Sequence, residues 1–275
     1  MKTIPLNPYN ITDLVITHAD RKAADPRLFR IYTGLVRHLH DFAREVRLTE
    51  PELQAGRDFL NAAVRNTDVI PDGELHMLTD LLGLSELVAL MADEQRGHAT
   101  ERNLEGPLYV PDPPWRGDAE PLGVDAAGDK LVVWGRVLEE SGTPIVGAVV
   151  DAWQAASNGL YDIQDPKQPR GNFRGRYVTD AQGRYCIETI VPPGYLVPNQ
   201  GPSGKLLRKL GRHPWRAGHI HFKLSAAAHE PLTTQLFIDR DPYLQSDTTF
   251  AVRNGILRLR EMERVGDAGT AGSGE

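Results

Sequence analysis

The feature that most constrains the fold is a change of residue pattern near Gly106. Before it, apolar residues recur at steps of three and four, which is typical of amphipathic helices. After it, prolines and glycines separate short apolar or alternating runs, which is typical of strands. The sequence therefore predicts an α+β protein with a helical region over residues 1–105, a β-sandwich domain over 106–265, and a disordered Gly/Ala/Ser-rich tail over 266–275.

The helical region carries more apolar surface than it can bury by itself. One stripe follows Asp25-Pro26 and consists of Leu28, Ile31, Tyr32, Leu35, Leu39, Phe42 and Val46. Thr49 and Glu52 form a capping box that starts a second helix. A third helical pattern begins at Glu74 and restarts after a pause at Gly83. Because some of these faces must cover the β domain or a second subunit, we expect a homodimer formed through this region.

Short strands follow, with turn residues between them. They are predicted at residues 130–138, 145–153, 177–179, 184–189, 219–224 and 233–238. The run Asp-Ala-Gln-Gly at 180–183 predicts a hairpin turn between the third and fourth of these strands. Several close strands without intervening helices indicate an antiparallel sandwich.

Composition narrows the class of function. The chain has 275 residues and a net charge of -6, without a basic stripe, which argues against nucleic acid as the main partner. No run of apolar residues is long enough for a membrane span, and no signal segment is visible, so we expect a cytoplasmic protein. One cysteine, Cys186, excludes an intrachain disulfide and a thiolate metal cluster. A small organic substrate fits this composition better than nucleic acid does.

His219 and His221 are the strongest candidates for chemistry. In a strand, side chains two residues apart project from the same face, so this pair can bind one metal ion. His38 and His40 have the same spacing, but they lie in a helical pattern, where residues two apart do not face each other. Taken alone, the strand pair has two interpretations: metal ligands, or two ordinary histidines on a half-solvated strand.

Two histidines leave a metal under-coordinated, so further ligands must come from elsewhere in the β domain. Neither Glu230 nor Asp239 stands out as a third ligand. Tyrosine is the other hard anionic candidate, and Tyr161 and Tyr195 each follow the end of a predicted strand, where functional residues are common. Spacing alone does not choose them, and a structural role is the default for each.

Three segments resemble the intradiol ring-cleaving dioxygenases. They are the Gly-Leu-Tyr-Asp run ending at Asp162, residues 183–195 and residues 211–222. The similarity also takes in residues 104–109 and 234–235, and so covers most of the chain from about residue 100 onward. The resemblance implies that Tyr161, Tyr195, His219 and His221 bind one non-haem ferric ion, Fe(3+).

The chemistry of these ligands agrees with the resemblance. A ferric ion favours anionic oxygen and ionises a bound phenol, whose free pKa is about 10. The resemblance implies that a catechol-type substrate binds through both oxygens, that Tyr195 accepts one of its protons, and that O2 opens the ring between the two hydroxyl-bearing carbons. It also places Arg216 and Gln235 beside the substrate, where Arg216 can stabilise negative charge on the ring.

The segment 77–85 resembles the branch of this family that acts on hydroxyquinol, in which an acidic residue lies by the extra ring hydroxyl. Helical spacing places Met77 and Asp80 on one face. The same comparison implies that the pocket is also lined by Leu104, Gly106, Pro107, Leu108, Val197, Pro198 and Thr249. The chain departs from this branch at Pro193-Gly194, at Ala217-Gly218, where Pro-Ala is more usual, and at Thr249, where an apolar residue is more usual.

Three alternatives stay open at this point. The first keeps the enzyme class but changes the substrate to catechol or a chlorocatechol. The second is a non-catalytic β-sandwich binding module. The third, a zinc hydrolase, is weakened because two tyrosines are unusual zinc ligands and no helical metal motif carries a general-base glutamate. The resemblance also allows a lipid between the subunits of the dimer.

Overall fold

The computed structural model describes residues 6–19, 22, 25–67, 73–94, 100–117 and 120–260. The predicted tail at 266–275 and residues 261–265 lie outside this set. The contacts divide the chain into two compact units, Met1–Asn61 and Ala62–Glu275. The domain boundaries at residues 105 and 265 stay a prediction.

The first unit is helical. It contains α1 (Ile11–Thr17), α2 (Pro26–Glu45) and most of α3 (Glu50–Arg65), whose last residues belong to the second unit. The side chain of Asp25 accepts a hydrogen bond from the backbone N–H of Leu28 at 2.7 Å, and Pro26 occupies the first turn. The carboxylate of Glu52 accepts from the backbone N–H of Thr49 at 2.9 Å, as the capping box predicts. Local side chains therefore explain where both long helices begin.

Three more helices belong to the second unit. They are α4 (Leu75–Leu81), α5 (Leu84–Asp93) and α6 (Pro202–Lys209). Gly83 separates α4 from α5 with a φ of +72°, a left-handed conformation that favours glycine. Helix α6 corrects the expectation that no helix interrupts the strands. No single helix among the described residues is long and apolar enough to cross a membrane, and α4 with α5 pass that test only as a pair bent by 67°.

The strands form three sheets. They are β1 (Lys130–Arg136), β2 (Val149–Gln154), β3 (Arg174–Val178), β4 (Arg184–Ile190), β5 (Tyr195–Leu196), β6 (Trp215–Arg216), β7 (His219–Ser225), β8 (Leu232–Ile238) and β9 (Ile256–Leu257). The largest sheet has the order β3-β2-β7-β8-β9, and β1-β4 and β5-β6 form two-stranded sheets. The pairing is antiparallel except between β8 and β9, so the large sheet is mixed rather than purely antiparallel.

The predicted hairpin between β3 and β4 is wrong in one respect. The turn forms, because Gly183 donates to the carbonyl of Asp180 at 2.9 Å and has a φ of +70°. However, β3 pairs with β2, whereas β4 pairs with β1 in the other sheet. The turn therefore passes the chain between two sheets instead of joining paired neighbours.

The two main sheets enclose the core of this unit. Val133 of β1 and Ile187 of β4 pack against Val150 of β2 and Phe222 of β7 in one buried cluster. Because side chains alternate along a strand, the residues next to Val150 and Phe222 point to the opposite face of the large sheet. That opposite face carries His221 and its neighbours.

Candidate active site

A row of polar and aromatic side chains crosses the outer face of the large sheet. His221 pairs with Trp153 of β2 on one side and with Gln235 of β8 on the other. Trp153 pairs in turn with Arg174 of β3. Residues paired across antiparallel strands stand side by side, so these four form one row. His219 projects from the same face of β7, two residues before His221.

The two histidines are buried, with their Nε2 atoms 3.1 Å apart. Nδ1 of His219 lies 2.6 Å from the carbonyl oxygen of Ala217, which assigns its proton to Nδ1 and its lone pair to Nε2. The ring of His221 stacks on Trp153, with 4.6 Å between centroids. Burial lowers the pKa of both histidines, that of His219 to about 3, and the charge of Arg216 acts in the same direction. Both rings are therefore in the neutral form that binds metals.

Tyr161 lies in the loop after β2 and is 1% exposed. Gly159 brings this loop to Tyr195: its φ is +76°, and a Cβ there would lie 3.3 Å from the Cβ of Tyr195, tighter than side chains normally pack. The hydroxyl of Tyr161 has no hydrogen-bond partner among the described residues. Burial raises the pKa of this phenol, so it needs a strong positive charge nearby to ionise at neutral pH.

Tyr195 completes a cluster of four rings. It lies on β5, opposite Arg216 of β6, and its ring centroid is 5.5 Å from that of His219. The centroids of Tyr161 and Tyr195 are 5.6 Å apart, and those of Tyr161 and His221 are 6.4 Å apart. The structure therefore brings together all four residues predicted as metal ligands.

The donor set fits a hard metal cation. With its proton on Nδ1, His219 presents the lone pair of Nε2 to the cluster, and Nε2 of His221 lies 3.1 Å away, close enough for one cation to bind both nitrogens. The buried, unpartnered hydroxyl of Tyr161 adds an oxygen that a cation can ionise. Among the described residues, no group of three or more His, Cys, Asp or Glu side chains is placed to hold a metal. Phenolate oxygen together with imidazole suits ferric iron.

Arg216 directs its guanidinium at this cluster. Nη1 lies 3.3 Å from the hydroxyl of Tyr195 and 3.2 Å from Nε2 of His219. Nη2 donates to Oε1 of Gln235 at 2.9 Å, and Gln235 donates to the carbonyl of Leu104 at 2.8 Å. A fixed positive charge in this position can stabilise negative charge that develops on a bound ring.

Asp247 is part of the site, although sequence reasoning did not find it. It is 4% exposed, and its Oδ2 lies 3.3 Å from Nε of Arg216. Burial acts to lower the pKa of Arg216, but Asp247, Tyr195 and Tyr161 together act in the opposite direction and the net shift is upward. Burial likewise acts to raise the pKa of Asp247, but the charge of Arg216 and the hydrogen bonds from Thr249 and Ala217 contribute to a net downward shift. The two residues are 31 positions apart, and no local motif links them.

Three predicted pocket residues lie against the cluster. A Cβ on Gly106 would be 3.8 Å from Cε1 of His221. Leu104 accepts the hydrogen bond from Gln235, and Leu108 packs in the same buried cluster as the two candidate tyrosine ligands. The irregular segment around residue 106 therefore forms one wall of the site.

The other predicted pocket residues make no hydrogen bond to the four-ring cluster among the described residues. Met77 and Val197 pack in one buried cluster that joins α4 to the loop after β5. Pro107 and Pro198 are half-buried, and burial alone does not place them at the site. Thr249 is 5% exposed, and its hydroxyl donates to Oδ1 of Asp247 at 2.7 Å instead of remaining available to a ligand.

Asp80 is 4% exposed, so it is not an exposed helix residue. Burial raises its pKa, while the hydroxyl of Ser85 and the charges of His76 and Arg216 act in the opposite direction. Its Oδ1 has no hydrogen-bond partner among the described residues. Glu86 is also buried and likewise has one unpartnered oxygen, but it is paired with Arg253 at 2.8 Å. Asp80 forms no ion pair among the described residues, so its Oδ1 can accept a hydrogen bond from a substrate.

Two family models match the chain. Residues 104–273 match the model described as "Dioxygenase", and residues 25–100 match "Catechol dioxygenase N terminus". The chain is 42% identical to 6-chlorohydroxyquinol 1,2-dioxygenase of Cupriavidus pinatubonensis, over 90% of each protein. It is 39% identical to catechol 1,2-dioxygenase 2 of Acinetobacter lwoffii, over 85% of each.

A solved structure agrees with these matches. The crystal structure of hydroxyquinol 1,2-dioxygenase from Pseudomonas putida superposes with a TM-score of 0.83 at 42% identity, covering 90% of this chain and 86% of that one. Matches of this length and identity take in both the helical region and the β domain with its four-ring cluster. The chain therefore belongs to the intradiol ring-cleaving dioxygenases.

Proposed function

We propose that this dioxygenase binds one non-haem ferric ion through Tyr161, Tyr195, His219 and His221. The observation that carries the proposal is the convergence of these four buried side chains, with facing Nε2 atoms and an unpartnered phenol. A bound ferric ion supplies the Lewis acidity that ionises phenols and substrate hydroxyls and makes the ring electron-rich toward O2. The tyrosines supply the negative charge that balances the metal.

The side chains at the metal site accept the substrate proton and stabilise the negative charge that develops on the ring. The oxygen of Tyr195 accepts a proton from one substrate hydroxyl, and Arg216, whose Nη1 is 3.3 Å from that oxygen, stabilises the charged forms. Arg216 also stabilises negative charge on the ring during oxygen attack. Gln235 holds Arg216 through its 2.9 Å hydrogen bond. Both atoms of O2 enter the product, and the ring opens between the two hydroxyl-bearing carbons to give a muconate-type diacid.

We propose hydroxyquinol, 1,2,4-trihydroxybenzene, as the substrate, with a hydroxymuconate or its maleylacetate tautomer as the product. Asp80 supports this choice, because a buried carboxylate with an unpartnered oxygen suits the third ring hydroxyl. The names of two proteins that are each 42% identical to this chain, a chlorohydroxyquinol and a hydroxyquinol dioxygenase, support it as well.

Replacing Asp80 with Ala tests the substrate. A hydrogen bond to a substrate hydroxyl contributes roughly 1 to 3 kcal/mol, so kcat/KM for hydroxyquinol should fall about tenfold or more. Catechol lacks the third hydroxyl and serves as the matched control, for which we expect a smaller loss. Steady-state kinetics on both substrates measures the ratio. Equal losses on the two substrates would show that Asp80 does not recognise the third hydroxyl.

Two alternatives are separated by simple measurements. Catechol as the preferred substrate is favoured by the 39% identity to a catechol 1,2-dioxygenase, and side-by-side turnover of hydroxyquinol, catechol and a chlorocatechol decides between them.

A non-catalytic binding module would be colourless and iron-free, and it would stay so after reconstitution with iron. A tyrosinate–Fe(III) protein absorbs visible light through charge transfer, and its band shifts when hydroxyquinol is added without oxygen.

We propose that the protein works as a cytoplasmic homodimer. Apolar residues of α2 are exposed along one stripe, which comprises Leu28, Ile31, Leu35, Leu39, Phe42 and Val46. A contiguous exposed apolar surface of this kind marks an interaction site, which supports a second subunit with a lipid between the two. Mass spectrometry of an organic extract of the purified protein tests for the lipid, and cell fractionation tests the compartment.

A further inference from the structure

One carboxylate lies behind the catalytic arginine and has no role so far. A planar guanidinium offers five N–H donors along three edges. In Arg216 both Nη groups are directed at the cluster, whereas Nε lies 3.3 Å from Oδ2 of Asp247. Contact at the Nε edge sets the plane of the guanidinium without occupying the donors that face Tyr195 and Gln235.

The same carboxylate also reaches the ligand His219. Oδ2 of Asp247 accepts a hydrogen bond from the backbone N–H of Ala217 at 3.0 Å. The carbonyl of Ala217 in turn lies 2.6 Å from Nδ1 of His219. Groups that bind the second nitrogen of a ligand histidine set the orientation of its ring. Asp247 therefore contacts Arg216 directly and is linked to His219 through the backbone of Ala217.

Asp247 is itself held in place by local donors. Its Oδ1 accepts from the backbone N–H of Thr249 at 3.0 Å and from the Thr249 hydroxyl at 2.7 Å. Its side chain is 2% exposed, so water does not compete freely for these bonds. Asp and Thr side chains commonly form such local bonds to nearby backbone.

Ala217 and Thr249 both donate to this carboxylate, the first through its backbone N–H and the second through its hydroxyl.

We propose that Asp247 is a positioning residue that orients the guanidinium of Arg216 and, through the backbone of Ala217, the ring of His219. Thr249 acts one step further out, by fixing Asp247. This inference rests on the proposed iron-dependent ring cleavage and adds to it the groups that align its arginine and one of its ligands.

The test is a double-mutant cycle on kcat. Partners that orient catalytic or metal-binding groups typically contribute about 10- to 100-fold to activity or metal affinity, so Asp247→Asn should lower kcat in that range with little change in KM. In an Arg216→Met background the same substitution should lower kcat by less, because the direct link to Arg216 is gone and only the link to His219 remains. Additive effects in the two backgrounds would overturn the proposal.

Glu86→Gln is the matched control, since Glu86 is a buried carboxylate paired with Arg253 and makes no hydrogen bond to Arg216. Its effects should add to those of Arg216→Met. Iron affinity gives a readout besides activity: competition with a chelator should show about tenfold weaker or faster-released iron in Asp247→Asn than in Glu86→Gln. Equal iron affinity in the two variants would remove the link to His219.

Two milder variants cover the case in which Asp247→Asn does not fold. Thr249→Val removes the hydroxyl at similar volume, and Ala217→Pro removes the backbone N–H. Each should lower kcat by about tenfold, through one lost hydrogen bond to a charged group, and the effect of Thr249→Val should shrink in the Arg216→Met background. If Arg216→Met cleaves the ring as fast as the wild type, the proposed function of Arg216 is wrong. If Arg216→Met is impaired but these milder variants behave as wild type, only the positioning role of Asp247 is wrong.

Discussion

At the scale of single residues, the ion pair of Arg174 and Asp162 shows what burial does to a charge. Their closest atoms are 2.6 Å apart, and the side chains are 2% and 4% exposed. The guanidinium also lies 5.7 Å from the ring centroid of Tyr161, so the pair borders the candidate ligands. Neither member can reach water if the other is lost.

Asp162→Asn leaves the charge of Arg174 buried without a partner. We expect the free energy of unfolding to fall by about 3–5 kcal/mol, measured by urea titration of the metal-free protein. Asp112→Asn is the control, because Asp112 pairs with Arg176 at 3.2 Å but its side chain is 89% exposed. That variant should lose less than about 1 kcal/mol. Similar losses in both would contradict the role of burial.

A second residue, Asp151, predicts a pH dependence of stability. Burial raises its pKa from 3.8 to about 6, against the hydrogen bond from Tyr109. The native state then holds this proton more tightly than the unfolded state, so stability is highest below the unfolded value and falls as pH rises toward 6. The loss amounts to about 3 kcal/mol. Asp151→Asn should flatten the unfolding free energy between about pH 4 and pH 7, and an unchanged slope would refute the assignment.

At the scale of elements, helix α2 has an apolar face that stays exposed among the described residues of the first unit. Leu35 is 57% exposed in the middle of its apolar stripe. Leu35→Glu places a charge there, which a dimer interface would have to bury, so the variant should sediment as a monomer under conditions where the wild type is a dimer. Arg37→Glu, on an exposed position outside the stripe, is the control and should stay dimeric. A wild type that is monomeric at every concentration would end the proposal.

The elements also show where local sequence stops being informative. The alternation of β7 predicts that His219 and His221 share a face, and the structure places them so. The turn at residues 180–183 is predicted correctly, yet β3 and β4 enter different sheets. Turn chemistry specifies a reversal of the chain, whereas the pairing of each strand depends on which apolar face the rest of the molecule covers.

At the scale of the whole molecule, a metal bound by residues from three separate segments should stabilise the fold. Binding to the native state alone adds about 4 kcal/mol when free metal exceeds its Kd a thousandfold. Removing iron with a chelator should therefore lower Tm by about 10 °C and abolish the visible colour, as followed by calorimetry and absorbance. Adding ferric iron back should restore both. If Tm is the same with and without iron, the metal is not bound within the folded core.

The sequence by itself determined the local features: the helix starts at Asp25 and Thr49, the common face of His219 and His221, and the residue types that resemble the family. These follow from short-range geometry and capping. Only the tertiary structure decided that Asp247 lies behind Arg216 and that Asp80 is buried. These features depend on residues that are far apart in the chain, and their partners are selected by packing and by the need to pair buried charges, which no local pattern encodes.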